Sequence, residues 1–572
     1  MFVALSFVLL FGGLGSRLAW MQLAQVEDSR QSADDNRIRI VPRPPERGRI
    51  VDRNGLLLAG SQLSYGVFLW PRTHSTADWK PIIERLARYL DVPSAEITSR
   101  LEQVGYTSPF PVRILRNANP AAITRLEENS ALLPGMAIQP EAIRYYPNKT
   151  LAAHLLGYTG EISLDELKAA PTVAGYRMGD VVGRMGAEQV FETELRGQWG
   201  GQQVEVNASG DVKRVLGDRP SKVGHTVQLA LDKSLQQVAE TALEQQKGAV
   251  VALDPRDGTI LVMASHPTFD PNLFSGSVTE DQWKALQALE FPFLNRNLRA
   301  YPPASTFKIV TATAGLESKA FSPTTTLQTY PYIHVGGWNF WDWNRAGFGV
   351  LNFPQAIAYS SDTFFYQVAL RTGATHIQEW AHRYGFGQPT GIGLGGESPG
   401  LVPDETWKEK ILGEKGWYAG DTVNMSIGQG LTTATPLQIA RMTAAVANGG
   451  WRVTPHLSLS PAVPPAREKV GLHADTIKVL QDGMRAVVAS GTGARVALPP
   501  DLPAISGKSG TAEAPPLPDH AWFTSYAPSE NPEIVVVAFL ENSGGGGSSR
   551  AGPVVRQVLE TYFRQQQNAK NP

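Results

Sequence analysis

A chain of 572 residues is too long for one hydrophobic core and is expected to divide into about two to four domains. Apolar residues at 42% and charged residues at 18% fit a globular protein and exclude a disordered one. A formal net charge of -1 gives no electrostatic case for nucleic acid as a partner. The absence of cysteine excludes disulfides, Cys-ligated zinc and a thiol nucleophile, and leaves an extracytoplasmic location open.

The first segment, Phe2 to Gly15, is uncharged and mostly apolar, and Leu18 to Leu23 resumes that character after Arg17. Two readings compete. One is a secretory signal peptide, whose apolar core is short. The other is a single membrane-spanning helix of about 20 residues with Trp20 at an interface. No small-x-small cleavage site follows, which favours an anchor over residues 1–24. Either reading exports the bulk of the chain, to the periplasmic or extracytoplasmic side of the plasma (inner) membrane.

Gln31 to Pro45 is polar, basic and ends in Pro42-Arg43-Pro44-Pro45, which predicts an extended linker. Glu46 to Ala59 predicts two strands around an Asn54-Gly55 turn. Helical periodicity covers Trp79–Leu90, Ser94–Val104 and Pro120–Asn129, and strands are expected from Gln202 to Leu216. A boundary falls near Asp218 to Gly224. Beyond it come a helix from Leu235 to Gln246 and a hairpin of Gly248–Leu253 with Thr259–Ala264. Helices then dominate to about residue 445. Strands return at Ala521–Tyr526 and Glu533–Leu540, before a terminal helix from Pro553 to Gln565. Helices between an early hairpin and late strands predict an antiparallel sheet with helices packed on it.

One stretch concentrates chemistry. In Tyr301-Pro302-Pro303-Ala304-Ser305-Thr306-Phe307-Lys308 a Pro pair starts a helix, and Ser and Lys follow three residues apart on one face. An apolar run from Ile309 to Leu316 then leads into a core. A hydroxyl beside an amine is the arrangement of a nucleophile with its base. About one or two such pairs arise by chance in a chain this long, so the spacing alone decides nothing. Ser360-Ser361-Asp362, ahead of an apolar helix start, reads by itself as an N-cap. Lys508-Ser509-Gly510-Thr511 reads by itself as a strand or turn.

Two motif matches fail on context. Gly391 to Gly396 fits G-x-G-x-x-G but follows a loop and precedes Pro399-Gly400, so no dinucleotide site is expected. Gly396-Glu397-Ser398-Pro399-Gly400 fits a nucleophile elbow, yet a Pro after the Ser is wrong for one. Gly544 to Gly547 is expected to be a mobile loop. The ten His residues show no metal-ligand spacing, and His520 is expected to be structural.

Ser-x-x-Lys, Ser-x-Asp and Lys-Ser-Gly in that chain order resemble the active sites of serine β-lactamases and penicillin-binding proteins. Arg47 to Gly55 resembles the N-terminal signature of class B penicillin-binding proteins, and Gly183 to Glu188 their second pedestal motif, with Ala187 where Ile or Leu is usual. Gly428-Gln429-Gly430, Thr433 to Pro436 and His520 to Phe523 also match. Ser-x-Asp together with Trp417 to Thr422 looks most like the elongation-type members. Ala304 stands in place of a common Gly, and Ser509 in place of Thr. Some elongation-type members hold zinc near this site; here Phe348 takes the His position and cysteine is absent, so neither metal nor organic cofactor is expected.

The resemblance implies an α/β (α+β) architecture. Its parts are an anchor over 1–24, a β-rich pedestal over 25–224 with an α/β head insertion at about 60–150, a transpeptidase domain over 225–566 built as an antiparallel sheet with helices and an all-helical subdomain, and a tail over 567–572. It implies a D,D-transpeptidase in which Ser305 is acylated by a D-Ala-D-Ala stem peptide and an amine of a neighbouring stem takes the acyl group. Carboxypeptidase side activity and inhibition by β-lactams follow. With no His at hand, Lys308 is the expected base, its pKa lowered by Lys508. Ser360 would relay a proton and Asp362 would orient Ser360 and the lysines. The amides of Ser305 and Thr511 would form the oxyanion hole beside Gly510, and the hydroxyls of Ser509 and Thr511 would hold the substrate carboxylate. The implied partners are a SEDS-type glycan polymerase and elongation-complex proteins. A septal transpeptidase, a β-lactam sensor and a β-lactamase are the alternatives.

Overall fold

The computed structural model describes residues 2–23, 38–108, 111–169, 175–177, 179–206, 212–243, 245–276, 278–460 and 466–570. The chain forms two compact units, one of residues 1–49, 61–143 and 193–226, the other of 50–60, 144–192 and 227–572.

In the first unit Ile38–Arg43, Gly200–Val206 and Val212–Arg219 pair antiparallel, Ile38 opposite Glu205. The linker expected over Gln31–Pro45 is therefore a strand from Ile38 onward, and residues 24–37 lie outside the described residues. Pro42 is tolerated because its strand lies at the sheet edge. The predicted helices are present as Thr76–Leu90, Ser94–Val104 and Pro120–Glu128. Trp79, Ile82, Ile83, Leu86 and Leu90 share one face at helical spacing and are buried. The Trp79 indole, fully buried, donates to the Pro71 carbonyl at 3.0 Å.

The N-terminal helix spans Phe2–Leu23. No helix among the described residues is long and apolar enough to cross a membrane. This helix covers most of the segment expected to be the anchor.

The second unit carries the sheet. Its strands are β1 (Gly248–Leu253), β2 (Ile260–His266), β5 (Ser506–Ala514), β6 (Leu517–Ala527) and β7 (Ile534–Leu540), and a separate hairpin is made of β3 (Tyr332–Val335) and β4 (Trp338–Trp341). Among the described residues the sheet has five strands in the order β2-β1-β7-β6-β5, every pair antiparallel. Every residue of β1 and β7 is buried, so both faces are covered, as their unbroken runs of Val, Ala and Leu require. The helices used below are α1 (Lys308–Glu317), α2 (Phe353–Tyr359), α3 (Asp362–Thr372), α4 (Pro436–Ala447), α5 (Ala474–Ala489) and α6 (Gly547–Lys570). Helix α6 packs on β6 and β7, α4 on β1, β6 and β7, and α5 on β5 and α2. The all-helical part therefore sits against the edge strand β5.

Two expected motifs acquire a structural role in this unit. The Asp52 carboxylate accepts the amides of Asn54 and Leu56, each at 2.8 Å, which closes the predicted Asn-Gly turn. Arg144 Nε donates to Glu188 at 2.5 Å, and the Tyr146 hydroxyl donates to the same oxygen at 3.1 Å, all three groups buried.

Candidate active site

The nucleophile turn is a 3-10 turn, Ala304–Phe307, that passes directly into α1. At three residues per turn Ser305 and Lys308 eclipse each other, which sharpens the helix-face expectation. The turn is fixed from outside. Tyr301 exchanges backbone hydrogen bonds with Ala434, at 2.9 and 2.8 Å, and the Trp522 indole donates to the Pro302 carbonyl at 2.9 Å. The Thr306 hydroxyl closes it from within, donating to the Pro303 carbonyl at 2.6 Å.

Ala304 takes the left-handed conformation, φ 50°. That costs an L-residue about 1–2 kcal/mol, which explains why Gly is usual there. Replacing Gly with Ala also removes about 0.4–1 kcal/mol of unfolded-chain freedom, so the net penalty is small. The Ala304 amide donates to the Gly428 carbonyl at 2.9 Å. A Cβ at Gly428 would lie 2.3 Å from the Ala304 carbonyl oxygen, and one at Gly510 would lie 3.3 Å from the Ala304 methyl. The Gln429 side chain donates to the Thr511 carbonyl at 3.4 Å. The Gly428–Gly430 turn thus ties the nucleophile turn to β5.

Three segments converge on two buried amines. Lys308 Nζ donates to Asp362 at 2.6 Å and to the Ser360 carbonyl at 2.7 Å, and lies 3.3 Å from Ser360 Oγ. Lys508 Nζ lies 2.8 Å from the same Oγ and donates to the Ser509 carbonyl at 2.8 Å. Both lysines are completely buried. Burial, and then the charge of Lys308, push the Lys508 pKa well below the ordinary lysine value, while Asp362 pulls it back up.

Asp362 does not reach Ser360 as expected. Its second oxygen accepts the Trp343 amide at 3.1 Å. Ser360 is set instead by a left-handed backbone, φ 55°, between α2 and α3. The N-cap reading of this motif holds for its middle residue, since Ser361 Oγ accepts the Phe364 amide.

On β5 the Ser509 hydroxyl is 3.0 Å from that of Thr492, and the exposed Thr511 accepts the Gly547 amide at 3.2 Å. Gly510 lies between them, buried. The expectation of a mobile loop at Gly544–Gly547 is corrected at its end. Gly547 is buried and starts α6, and a Cβ there would lie 2.2 Å from the Trp522 carbonyl oxygen. His520 is structural as expected: its Nδ1 accepts the Asn542 amide at 2.9 Å, and burial holds its pKa below the usual value. Gly391–Gly396 is a loop, as its context required. Among the described residues no group of three or more His, Asp or Glu is placed to hold a metal. Phe348 stacks on Tyr359, centroids 5.6 Å apart.

The penicillin-binding protein transpeptidase domain family matches residues 248–560, and the penicillin-binding protein dimerisation domain family matches 42–229. A peptidoglycan D,D-transpeptidase MrdA of Haemophilus influenzae is 36% identical over 98% of this chain and 91% of its own length. The chain belongs to the penicillin-binding protein 2 family. A penicillin-binding protein 2 of Helicobacter pylori, solved in complex with MreC, superposes with TM-score 0.83 at 30% identity over 92% of this chain and 99% of that one. A chain of a peptidoglycan synthase complex, described as coordinating polymerization and crosslinking, superposes with TM-score 0.72 at 34% identity over 98% and 97%. Ser-x-x-Lys, Ser-x-Asp and Lys-Ser-Gly are gathered around the two lysines. Asp342, Trp343 and Thr492 also touch the gathered motifs and were not anticipated. They lie far from them in sequence and carry no spacing signal.

Proposed function

We infer that this chain is a peptidoglycan D,D-transpeptidase that cross-links stem peptides through an acyl-enzyme on Ser305 and is inhibited by β-lactams. One observation carries the reading: a single hydroxyl, Ser360 Oγ, lies between two buried amines, one beside the nucleophile and one with a depressed pKa. Lys308 is paired with Asp362, and Lys508, held below the ordinary lysine value, has room for a proton. Lys308 passes a proton through Ser360 to Lys508 and becomes a base. It then takes the Ser305 proton as Oγ attacks the D-Ala-D-Ala carbonyl. The amides of Ser305 and Thr511 receive the oxyanion, and the hydroxyls of Ser509 and Thr511 receive the terminal carboxylate. When the C–N bond breaks, the leaving amine takes its proton from Lys508 through Ser360. An acceptor amine then attacks the ester and Ser305 recovers its proton, which completes the cross-link.

Labelling by a fluorescent penicillin, with the adduct mapped by mass, tests this. The wild-type chain is expected to carry one lasting adduct on Ser305, and Ser305→Ala none. Labelling that survives in Ser305→Ala, or rapid hydrolysis of the drug, would sink the assignment.

The catalytic unit is placed outside the plasma membrane, where stem peptides are, with Phe2–Leu23 attaching the chain to that membrane. Its partner is a SEDS-type glycan polymerase of the elongation complex. The likeness to a chain of a synthase complex that couples polymerization to crosslinking supports this. Retention in the membrane pellet after carbonate washing, lost when residues 2–23 are deleted, checks the attachment, and co-purification of a polymerase with the full chain checks the partner.

A further inference from the structure

The turn that presents Ser360 is held at every residue, and two neighbouring side chains outside the three motifs do most of the holding. The Trp343 indole Nε1 donates to the Tyr359 carbonyl at 3.1 Å, and the Trp343 backbone amide donates to Asp362 Oδ2 at 3.1 Å. Trp343 therefore grips the residue before Ser360 and the second residue after it. Asp342 is completely buried. One of its oxygens accepts the Ser361 hydroxyl at 2.7 Å, the Thr363 amide at 2.9 Å and the Thr363 hydroxyl at 2.9 Å. Lys308 takes the remaining carbonyl, that of Ser360 itself.

Such a clamp has a physical purpose. A Ser at φ 55° sits in a sparsely populated conformation and stays there only if its surroundings over-determine it. Ser360 Oγ must also stay within reach of two amines at once, 3.3 and 2.8 Å away. Asp342-Trp343 leaves the hairpin formed by β3 and β4, which is anchored independently: Phe340 packs on Tyr366 of α3, centroids 6.0 Å apart, and the Tyr366 hydroxyl donates to the Trp341 carbonyl at 3.4 Å. The hairpin end is thus a rigid mount for the clamp. The Trp343 ring itself is 57% exposed, so its hydrogen bonds inward are not the by-product of a packed core.

We propose that Asp342 and Trp343 are positioning residues for acyl transfer: they fix the Ser360 turn so that its hydroxyl bridges Lys308 and Lys508. This rests on the Ser305 acyl-enzyme reading. The clamp acts on proton transfer and not on drug binding, so its loss falls on one kinetic step. Misplacing a reacting group by about 1 Å costs about 100-fold in rate.

The test is the concentration dependence of labelling of the solubilised full chain by a fluorescent penicillin, which separates the pre-acylation binding constant from the acylation rate constant. The final labelled fraction counts intact sites. Trp343→Phe keeps a ring and removes only the Nε1 hydrogen bond, and Asp342→Asn removes the charge that gathers Ser361 and Thr363. Both are expected to lower the acylation rate constant about 10- to 100-fold, with the binding constant and the labelled fraction within about twofold of wild type. If Asp342→Asn does not fold, Trp343→Phe decides alone. A Trp343→Phe rate constant within threefold of wild type overturns the proposal. So does a loss confined to the binding constant or to the labelled fraction, the signature of a merely structural role. Failure of the acyl-enzyme reading looks different, because then the wild-type chain is not labelled or Ser305→Ala still is.

Discussion

Lys308→Met is expected to slow acylation of Ser305 by about 100- to 10,000-fold, the range lost with a general base. Methionine keeps the length of the side chain and much of its packing, so the α1 start and the Phe365 ring near the amine stay covered. What goes is the amine that eclipses Ser305, along with the partner of Asp362 at 2.6 Å. The pH profile separates the two lysines. In the wild type, acylation needs Lys508 unprotonated at rest so that it can receive the proton from Lys308. The rate therefore falls as pH drops through the depressed Lys508 value, and this acid limb lies below the ordinary lysine value of about 10.4. The amines share Ser360, so the limb belongs to the pair and not to either alone. Lys508→Arg keeps a cation that cannot give up its proton, and is expected to flatten the limb at a low rate. Acylation rates at pH 5 to 10 for the three proteins check this. A Lys308→Met rate within tenfold of wild type would remove Lys308 from the role of base.

The second large effect is on stability. Glu188→Ala leaves the Arg144 guanidinium in a site where the side chains of the pair are 2% and 0% exposed. Removing one partner of a buried pair costs about 3–5 kcal/mol, because the other charge stays buried with less compensation. The Tyr146 hydroxyl loses its acceptor in the same change. Urea unfolding should show the midpoint of this unit moving down. The cost comes from the stranded charge, so Arg144→Leu combined with Glu188→Met should recover most of it. If the double variant is no more stable than Glu188→Ala, the explanation by a stranded charge fails.

How much of this could be read beforehand depended on where the information sits. The triple of candidate motifs was legible because each part is short and its residue types suit the proposed chemistry, and the fold only had to gather them. The helix over Thr76–Leu90 was legible because Trp79, Ile82, Ile83, Leu86 and Leu90 repeat at helical spacing. Which amine Asp362 touches was not, since sequence spacing does not encode that. Asp342-Trp343 was hidden for a related reason: a carboxylate between two tryptophans has no periodicity, and its targets lie about twenty residues away. The strand at Ile38–Arg43 was masked by its own prolines and charges, which an edge strand admits and a central one does not. At the N-terminus the apolar start was read correctly as a helix.

Ala304, with its methyl facing Gly510 and its carbonyl facing Gly428, has a consequence for how this enzyme can change under antibiotic selection. The corner holds one methyl group and no more. A side chain at Gly428 meets main chain at 2.3 Å, and one at Gly510 meets the methyl already there at 3.3 Å. At Gly510 the Trp522 Cβ at 3.2 Å and the Pro303 carbonyl oxygen at 3.3 Å crowd a new methyl as well, so changing Ala304 to Gly would relieve only one of three close contacts. At Gly428 the obstacle is backbone, and no single reversion removes it.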